Sequence, residues 1–424
     1  MKDLSFSTTT LLGRVVLICC GVGVLLFAFL VFSLGLANTA ATQADTIELA
    51  ELAVSISPND PEAHYSAAKL LDNSFEPQDY EKALVHYEAA VALSPHKYFA
   101  WLELAKAYES RGESEKAMAA FQQAETLAPN YASVQWSMGN ALIRRGNAVD
   151  GLELLRSAAR RDKRYSAPLM ALIFQLNGGD IAATRSAIGG SDREKTDLVL
   201  FLSGKKLFDE AFSVWSDIPA DVRASEGKDT GTSFLSALIA EHRYRQAISV
   251  KNDISQNSLL QAERIFNSSF ELPIKPQDGE LFDWQISGGE SPTFAVTDGQ
   301  IKEGKFSLLV LFDAADRGKN LKTLSQAVAV IPSKRYTFET WHKARINTNA
   351  DFRWLVTNVA DGSVLATGPA VKSVDQWTLS QIGFTAPASV DSIKISFVRD
   401  ACTHAVCSVS GEVWLDDLSL KEVN

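Results

Sequence analysis

Two stretches of this chain can be laid one on the other. "DYEKALVHYEAAVALSP" (79–95) and "ESEKAMAAFQQAETLAP" (113–129) agree in pattern at an offset of 34 residues. Ala83, Ala117 and Gly151 keep that spacing, as do Tyr87, Phe121 and Leu155, and Ala90, Ala124 and Ala158. Leu71, Ala105 and Gly139 follow the same period, with slack taken up at "NSFEPQ". Small side chains recur where paired helices approach closely, and large ones where a neighbour's groove must be filled. One such unit cannot bury its apolar face alone, so the period predicts a stack of helical hairpins.

The pattern resembles the tetratricopeptide repeat (TPR), which reads W-x2-L-G-x2-Y, then A-x3-F, A and P. The middle copy fits best, with Trp101, Leu104, Ala105, Tyr108, Ala117, Phe121, Ala124 and Pro129. The first has His64, Ala67, Ala68 and Leu71 in front, then Ala83, Tyr87, Ala90 and Pro95. The third has Met138, Gly139, Leu142, Gly151, Leu155 and Ala158, with Lys163 where proline is usual. Beyond 165 the signature decays while helical periodicity persists. Residues 197–219 and 232–250 each read as helix, turn, helix, so an all-α, TPR-like superhelix is expected over 45–255. The resemblance implies that first helices line a groove holding a partner protein. The matching positions are Tyr65 and Lys69, Leu102 and Lys106, then Trp136, Asn140 and Arg144. Trp136 either anchors a partner, as interface aromatics do, or packs against a neighbouring repeat. The lysine and asparagine set that would clamp a C-terminal carboxylate is incomplete.

From Val15 to Leu36 the chain has 22 residues without a charge. At about 1.5 Å per residue this matches the roughly 30 Å hydrocarbon core of a bilayer. It exceeds the roughly 7–15 residue apolar core of a signal peptide. A transmembrane helix over 15–37 is expected after a cytoplasmic tail, 1–14, with cleavage after Ala37 as the alternative. Lys2 and Arg14 precede the run, and Asp45, Glu48 and Glu51 follow it. The positive-inside rule then predicts a single-pass inner-membrane protein with its bulk outside the cytoplasm. The net charge of −10 and the lack of a basic patch argue against nucleic acid as a partner. In an exported domain, Cys402 and Cys407 of "CTHAVC" suggest a disulfide, with metal binding through His404 as the alternative.

At 266 the texture changes from period 3.6 to period 2, with "DG" or "GG" turn signals at 278–279, 288–289, 298–299 and 361–362. Strands are expected over 306–312, 325–331, 335–346, 351–359, 377–386, 392–400 and 411–420, with no helix between them. That argues an all-β sandwich. In order, "NSSFEL", "GKFSLLV", "SQAVAVIPSKRYTFETWHKA", "WTLSQIGFTAP" and "VWLDDLSL" resemble a carbohydrate-binding-module jelly roll of the galactose-binding-like superfamily. The resemblance covers 266–424, after a linker at 256–265. It implies glycan binding on a sheet face or loop edge. It also implies a structural Ca²⁺ held by Glu271 and Asp416, with Asp417 as the other candidate; otherwise Asp416 meets a backbone N–H or an arginine. Strand alternation groups Thr337, Glu339, Trp341, Lys343 and Arg345 on one face. Trp341 there is either a sugar platform flanked by Glu339 and Lys343 or a ring packed under a loop. Arg353 and Trp354 fall on opposite faces of the following strand, so one of them can join Trp341. The same alternation puts Asp416 with Trp414, Leu418 and Leu420, and Val413, Leu415 and Ser419 opposite.

No Ser-His-Asp order, phosphate loop, H-E-x-x-H or dinucleotide fingerprint occurs, and the six histidines are scattered singly. Asp416 and Asp417, as strand neighbours, point apart and cannot flank one glycosidic bond. The expected function is non-enzymatic. It is a membrane-anchored scaffold whose repeats bind protein partners and whose jelly roll contacts glycan, suited to bacterial exopolysaccharide or cell-envelope assembly. The alternative is a periplasmic or surface glycan receptor with the repeats as a stalk. A third reading makes the jelly roll a structural cap on the last repeats.

Overall fold

The computed structural model describes residues 11–423 apart from 75, 256–259, 275–281, 290, 314–320, 390 and 404–406; within the first helix the side chains of 11, 12, 30, 33, 34 and 36–43 are not described. His404 therefore lies outside the described residues. The chain divides into two compact units, 1–172 and 173–424.

The first unit is helical: α1 (Leu11–Gln43), α2 (Ile47–Ile56), α3 (Pro61–Asp72), α4 (Pro77–Leu93), α5 (Tyr98–Ser110), α6 (Ser114–Leu127), α7 (Ala132–Arg144) and α8 (Ala148–Arg161). A further helix, α9 (Ser166–Leu176), crosses the division. Helices α3 and α4, α5 and α6, and α7 and α8 form hairpins that pack in sequence. The positions 34 apart are all buried: Ala83 and Ala117, Tyr87, Phe121 and Leu155, and Ala90, Ala124 and Ala158. Burying such aromatic and aliphatic side chains contributes about 1.5–3 kcal/mol each. Local chemistry sets the ends. The Asp60 carboxylate accepts the Glu62 N–H at 2.9 Å with Pro61 at the first helical position. Helices α5 and α7 each stop at a glycine with positive φ, Gly112 at 76° and Gly146 at 88°. There the Glu113 N–H reaches Tyr108 O and the Asn147 N–H reaches Leu142 O. In α7 and α8 the repeated small position is glycine on both sides. A Cβ on Gly139 would lie 2.8 Å from the Gly151 carbonyl oxygen, and one on Gly151 would lie 2.8 Å from that of Gly139.

The expected transmembrane helix is overturned. Among the described residues no helix is long and apolar enough to cross a membrane. The single-pass inner-membrane location rested on that helix and falls with it.

The second unit begins with α10 (Ile181–Ala187), α11 (Asp192–Gly204), α12 (Phe208–Ser216), α13 (Ala220–Ala224), α14 (Lys228–Ala240) and α15 (Tyr244–Ser255). Among the described residues ten strands follow: β1 (Gln285–Gly288), β2 (Thr293–Thr297), β3 (Ser307–Phe312), β4 (Lys322–Ala329), β5 (Arg335–Thr348), β6 (Phe352–Asn358), β7 (Val364–Thr367), β8 (Val374–Thr385), β9 (Ser392–Arg399) and β10 (Val409–Val423). They make two five-stranded antiparallel sheets, ordered β1-β4-β9-β6-β7 and β2-β3-β10-β5-β8. Trp284, Phe338, Trp354, Ile395, Val413 and Leu415 lie in the core between them. The short strands β1, β2 and β7 escaped the sequence reading.

The sandwich packs on the last helical pair. The Tyr244 and Arg245 N–H groups at the start of α15 donate to Asp391, just before β9, both at 2.8 Å. This is an N-terminal helix cap supplied 147 and 146 residues away in sequence. Arg245 pairs with Glu263 at 2.7 Å, and the Glu263 N–H donates to Ala329 O at the end of β4. Gln326 of β4 then holds Phe266 by both its N–H and its C=O.

Candidate binding sites

In the first unit, α3 and α5 bring aromatic rings and carboxylates together. Tyr65 meets Phe99 edge-on at 4.9 Å and Tyr87 at 6.2 Å between ring centroids. Tyr65 and Asp72 are seven residues apart on α3; Phe99, Glu103 and Lys106 are spaced by four and three on α5, so each set shares a face. Burial, then the charges of Glu103 and Glu62, pushes the Tyr65 phenol up to about 12. Burial and the charges of Asp72 and Glu103 raise Tyr87 as well. Asp72 is itself raised, first by burial and then by Glu103, against the opposing pull of Arg111 and Lys106. A half-buried pair of carboxylates beside rings favours a cation.

The expected groove positions divide. Tyr65 and the exposed Lys69 lie on α3 as anticipated, whereas Leu102 is only 4% exposed and belongs to the core. Its neighbour Glu103 is the half-exposed residue, and Lys106 donates to it at 2.8 Å. The sequence held the signal: Leu102 is three residues from buried Ala105, and Glu103 is four from Phe99. Trp136 stacks on Tyr165 at 4.8 Å with 25° between the ring planes, so it packs within the unit. Asn140 donates its amide back to Trp136 O at 2.8 Å, and Arg144 reaches Glu109 at 2.7 Å.

In the sandwich the outer face of the β5 sheet presents Thr337, Glu339, Trp341, Lys343 and Arg345, while Tyr336, Phe338 and Ala344 are buried. Trp341 is half-buried, faces Asp416 on β10 and Leu379 on β8, and has the Lys302 ammonium over its ring at 4.4 Å. Glu339 accepts from Lys421 at 2.5 Å, Gln381 at 2.8 Å and Ser419 at 3.3 Å, and these donors hold its carboxyl below the usual range. Lys343 donates to Gln300 at 2.8 Å. Neither Arg353 nor Trp354 can join Trp341, because β6 belongs to the other sheet. Trp354 lies in the core and Arg353 pairs with Asp400.

Asp416 is fully buried, and its partner is a loop. Its Oδ2 accepts the Lys302 N–H at 2.8 Å and the Glu303 N–H at 3.0 Å, while Oδ1 takes the Asp417 N–H at 2.7 Å. Glu271 grips the same β2–β3 loop a few residues on, accepting the Lys305 N–H at 2.7 Å and the Phe306 N–H at 3.1 Å. Gly304 between them has φ of 74°, and a Cβ there would sit 2.1 Å from the Glu271 carboxylate. Burial raises the Asp416 carboxyl above its usual value despite the three N–H donors. The anticipated alternation also fails here. A bulge between Asp416 and Ser419, with Asp417 at φ of 49°, resets β10 so that Leu418 joins the core and Ser419 turns toward Glu339. A calcium ion takes six to eight oxygen ligands. N–H donors occupy Glu271 Oε1 and both Asp416 oxygens instead, and among the described residues no three His, Cys, Asp or Glu side chains group to hold a metal. These residues do not fit the ion. Cys402 and Cys407 are joined in a disulfide.

A cavity of about 320 Å³ opens between the sheets, lined by Ile274, Ile286, Phe294, Val296, Leu308 and Glu271. Its walls are apolar and its carboxylate is engaged, which suits a hydroxyl-rich polymer poorly.

Residues 74–135 match the tetratricopeptide repeat family. No curated protein matches the chain. Among solved structures, MamA residues 41 to the end from Desulfovibrio magneticus RS-1 is similar at 14% identity, covering 44% of this chain and 93% of that one, with a TM-score of 0.29. YrrB, a TPR protein with an unusual peptide-binding site, is similar at 16% identity, covering 50% and 95%, with a TM-score of 0.26. TmCBM61 in complex with β-1,4-galactotriose is similar at 17% identity, covering 39% and 100%, with a TM-score of 0.27. Residues 74–135 thus carry TPR repeats, and the C-terminal region is a β-sandwich.

Proposed function

We propose that this chain is a non-enzymatic binding scaffold. Its helical face on α3 and α5 takes up a protein segment bearing a cationic side chain, and the outer face of the β5 sheet contacts a glycan. The observation that carries the reading is the convergence of Asp72 and Glu103 on Tyr65 and Tyr87 beside the matched repeats. The glycan half draws support from Trp341, a half-buried ring bordered by Glu339, Gln381 and Lys421. Its Lys302 contact is worth only about 0.5–1 kcal/mol, so a stacking sugar displaces it at small cost. Holding a protein and a polymer together suits exopolysaccharide assembly.

The test is calorimetry on the full chain with an array of Lys/Arg-containing peptides and a panel of soluble polysaccharides. Saturable peptide binding is expected to weaken at least about tenfold in the Asp72→Asn/Glu103→Gln double variant, which removes two charge-assisted contacts. Trp341→Ala is expected to abolish polysaccharide binding and leave peptide binding unchanged. Peptide binding indifferent to the double variant moves the site off this face. Polysaccharide binding indifferent to Trp341→Ala removes the sugar platform.

A further inference from the structure

Scattered in sequence, His64 and His86 meet in the fold. His64 on α3 and His86 on α4 face each other with their Nδ1 atoms 2.9 Å apart and their ring planes at 42°. Both are half-exposed. The other nitrogen of His64, Nε2, lies 3.0 Å from the Pro58 carbonyl oxygen. A carbonyl only accepts, so His64 carries its proton on Nε2 and turns the Nδ1 lone pair toward His86. Metal-ligating histidines likewise tie one ring N–H to a backbone carbonyl and ligate through the other nitrogen.

From this geometry we infer that His64 and His86 form a two-histidine site for a divalent transition metal, cupric ion first. Two nitrogens bound at right angles, each about 2.0–2.1 Å from one ion, lie about 2.9 Å apart; at a tetrahedral angle they lie about 3.3 Å apart. The observed separation is that of an N–H···N hydrogen bond and equals the cis edge of a square-planar or tetragonal site, the geometry of Cu²⁺ and Ni²⁺, so an ion would take the place of the shared proton. Water fills the remaining in-plane positions. Binding moves the His86 proton from Nδ1 to Nε2 and releases none from the neutral pair.

Copper(II) chloride is titrated into the full chain at pH 7.5 with glycine as competitor, and binding is followed by electron paramagnetic resonance. One equivalent is expected to give a tetragonal signal with nitrogen coupling from two imidazoles. His64→Gln and His86→Gln are each expected to weaken binding at least about tenfold, whereas His96→Gln, at an exposed site elsewhere, leaves it unchanged. Nitrogen coupling counted in the unsubstituted chain needs no variant, so a destabilised mutant does not decide the outcome. A count of one imidazole or none, or a titration indifferent to both substitutions, reduces the pair to a hydrogen bond between helices and overturns the site.

Discussion

The α3–α5 face and the Trp341 face place the same ingredients together, an aromatic ring and charged groups, by opposite means. On the helices Tyr65 and Asp72 of α3, and Phe99, Glu103 and Lys106 of α5, sit at spacings of three, four or seven residues, and Tyr87 joins them from α4. On the sandwich, Trp341 and Glu339 draw neighbours from β5, β8, β10 and the β2–β3 loop, positions as far apart as Lys302 and Lys421. The helical face is built from local periodicity, and a substitution there disturbs one hairpin. The sandwich face depends on a loop held by two carboxylates, so its integrity rests on residues that touch neither ring nor ligand.

The sharpest test of that contrast is Asp416→Ala. It removes the acceptor of the part-buried Lys302 and Glu303 N–H groups, at up to about 1–3 kcal/mol for each. A loss of roughly 2–5 kcal/mol in urea unfolding is expected, with altered tryptophan emission as the loop over Trp341 comes free. Near-native stability would show that the loop does not depend on its clamp. Next is Gly151→Ala in the helical unit, where the new methyl meets the Gly139 carbonyl. Overpacking is expected to cost about 1–3 kcal/mol and to leave polysaccharide binding intact. Loss of sugar binding in that variant would break the independence of the two faces.

A third test uses pH. Because the folded Asp416 carboxyl titrates above its unfolded value of 3.8, the native state holds the extra proton in that interval. The stabilisation is fully present below 3.8 and is lost as pH rises through the raised value. Unfolding free energy relative to Asp416→Asn is therefore expected to increase as pH falls into this window, and a flat difference would place the carboxylate in a more solvated setting. The smallest effect is expected from Lys302→Ala. Its stability change should stay within about 1 kcal/mol, while Trp341 becomes more accessible to a collisional quencher.

The sequence exposed much of the helical architecture because its information is periodic. Ala83, Ala117 and Gly151 declare a close approach by composition alone, and the structure buries or interlocks each. Even there, Leu102 was misplaced by one position from Glu103, since a family alignment carries a register and not a burial. In the sandwich, alternation identified the outward set around Trp341 because β5 keeps its pairing through that stretch. It failed at Asp416–Ser419, where one residue in the left-handed region inverts the parity of everything after it. It failed again at Arg353 and Trp354, because adjacency in sequence does not tell which sheet a strand enters. His64 and His86 were invisible for a related reason: 22 residues separate them, and only the hairpin geometry brings their rings together.

The cap that Asp391 places on α15 bears on how such a chain could be cut and recombined. A protease nick between α15 and β1 would leave both pieces clasped, because the helix end and Asp391 stay bonded across the cut. A gene fusion that transplanted the strands alone would export a carboxylate stripped of its two amide partners and leave a helix end bare. Shuffling this module intact means carrying the last helices with it, so the natural seam for exchange lies upstream of α10, not at the point where helix gives way to strand.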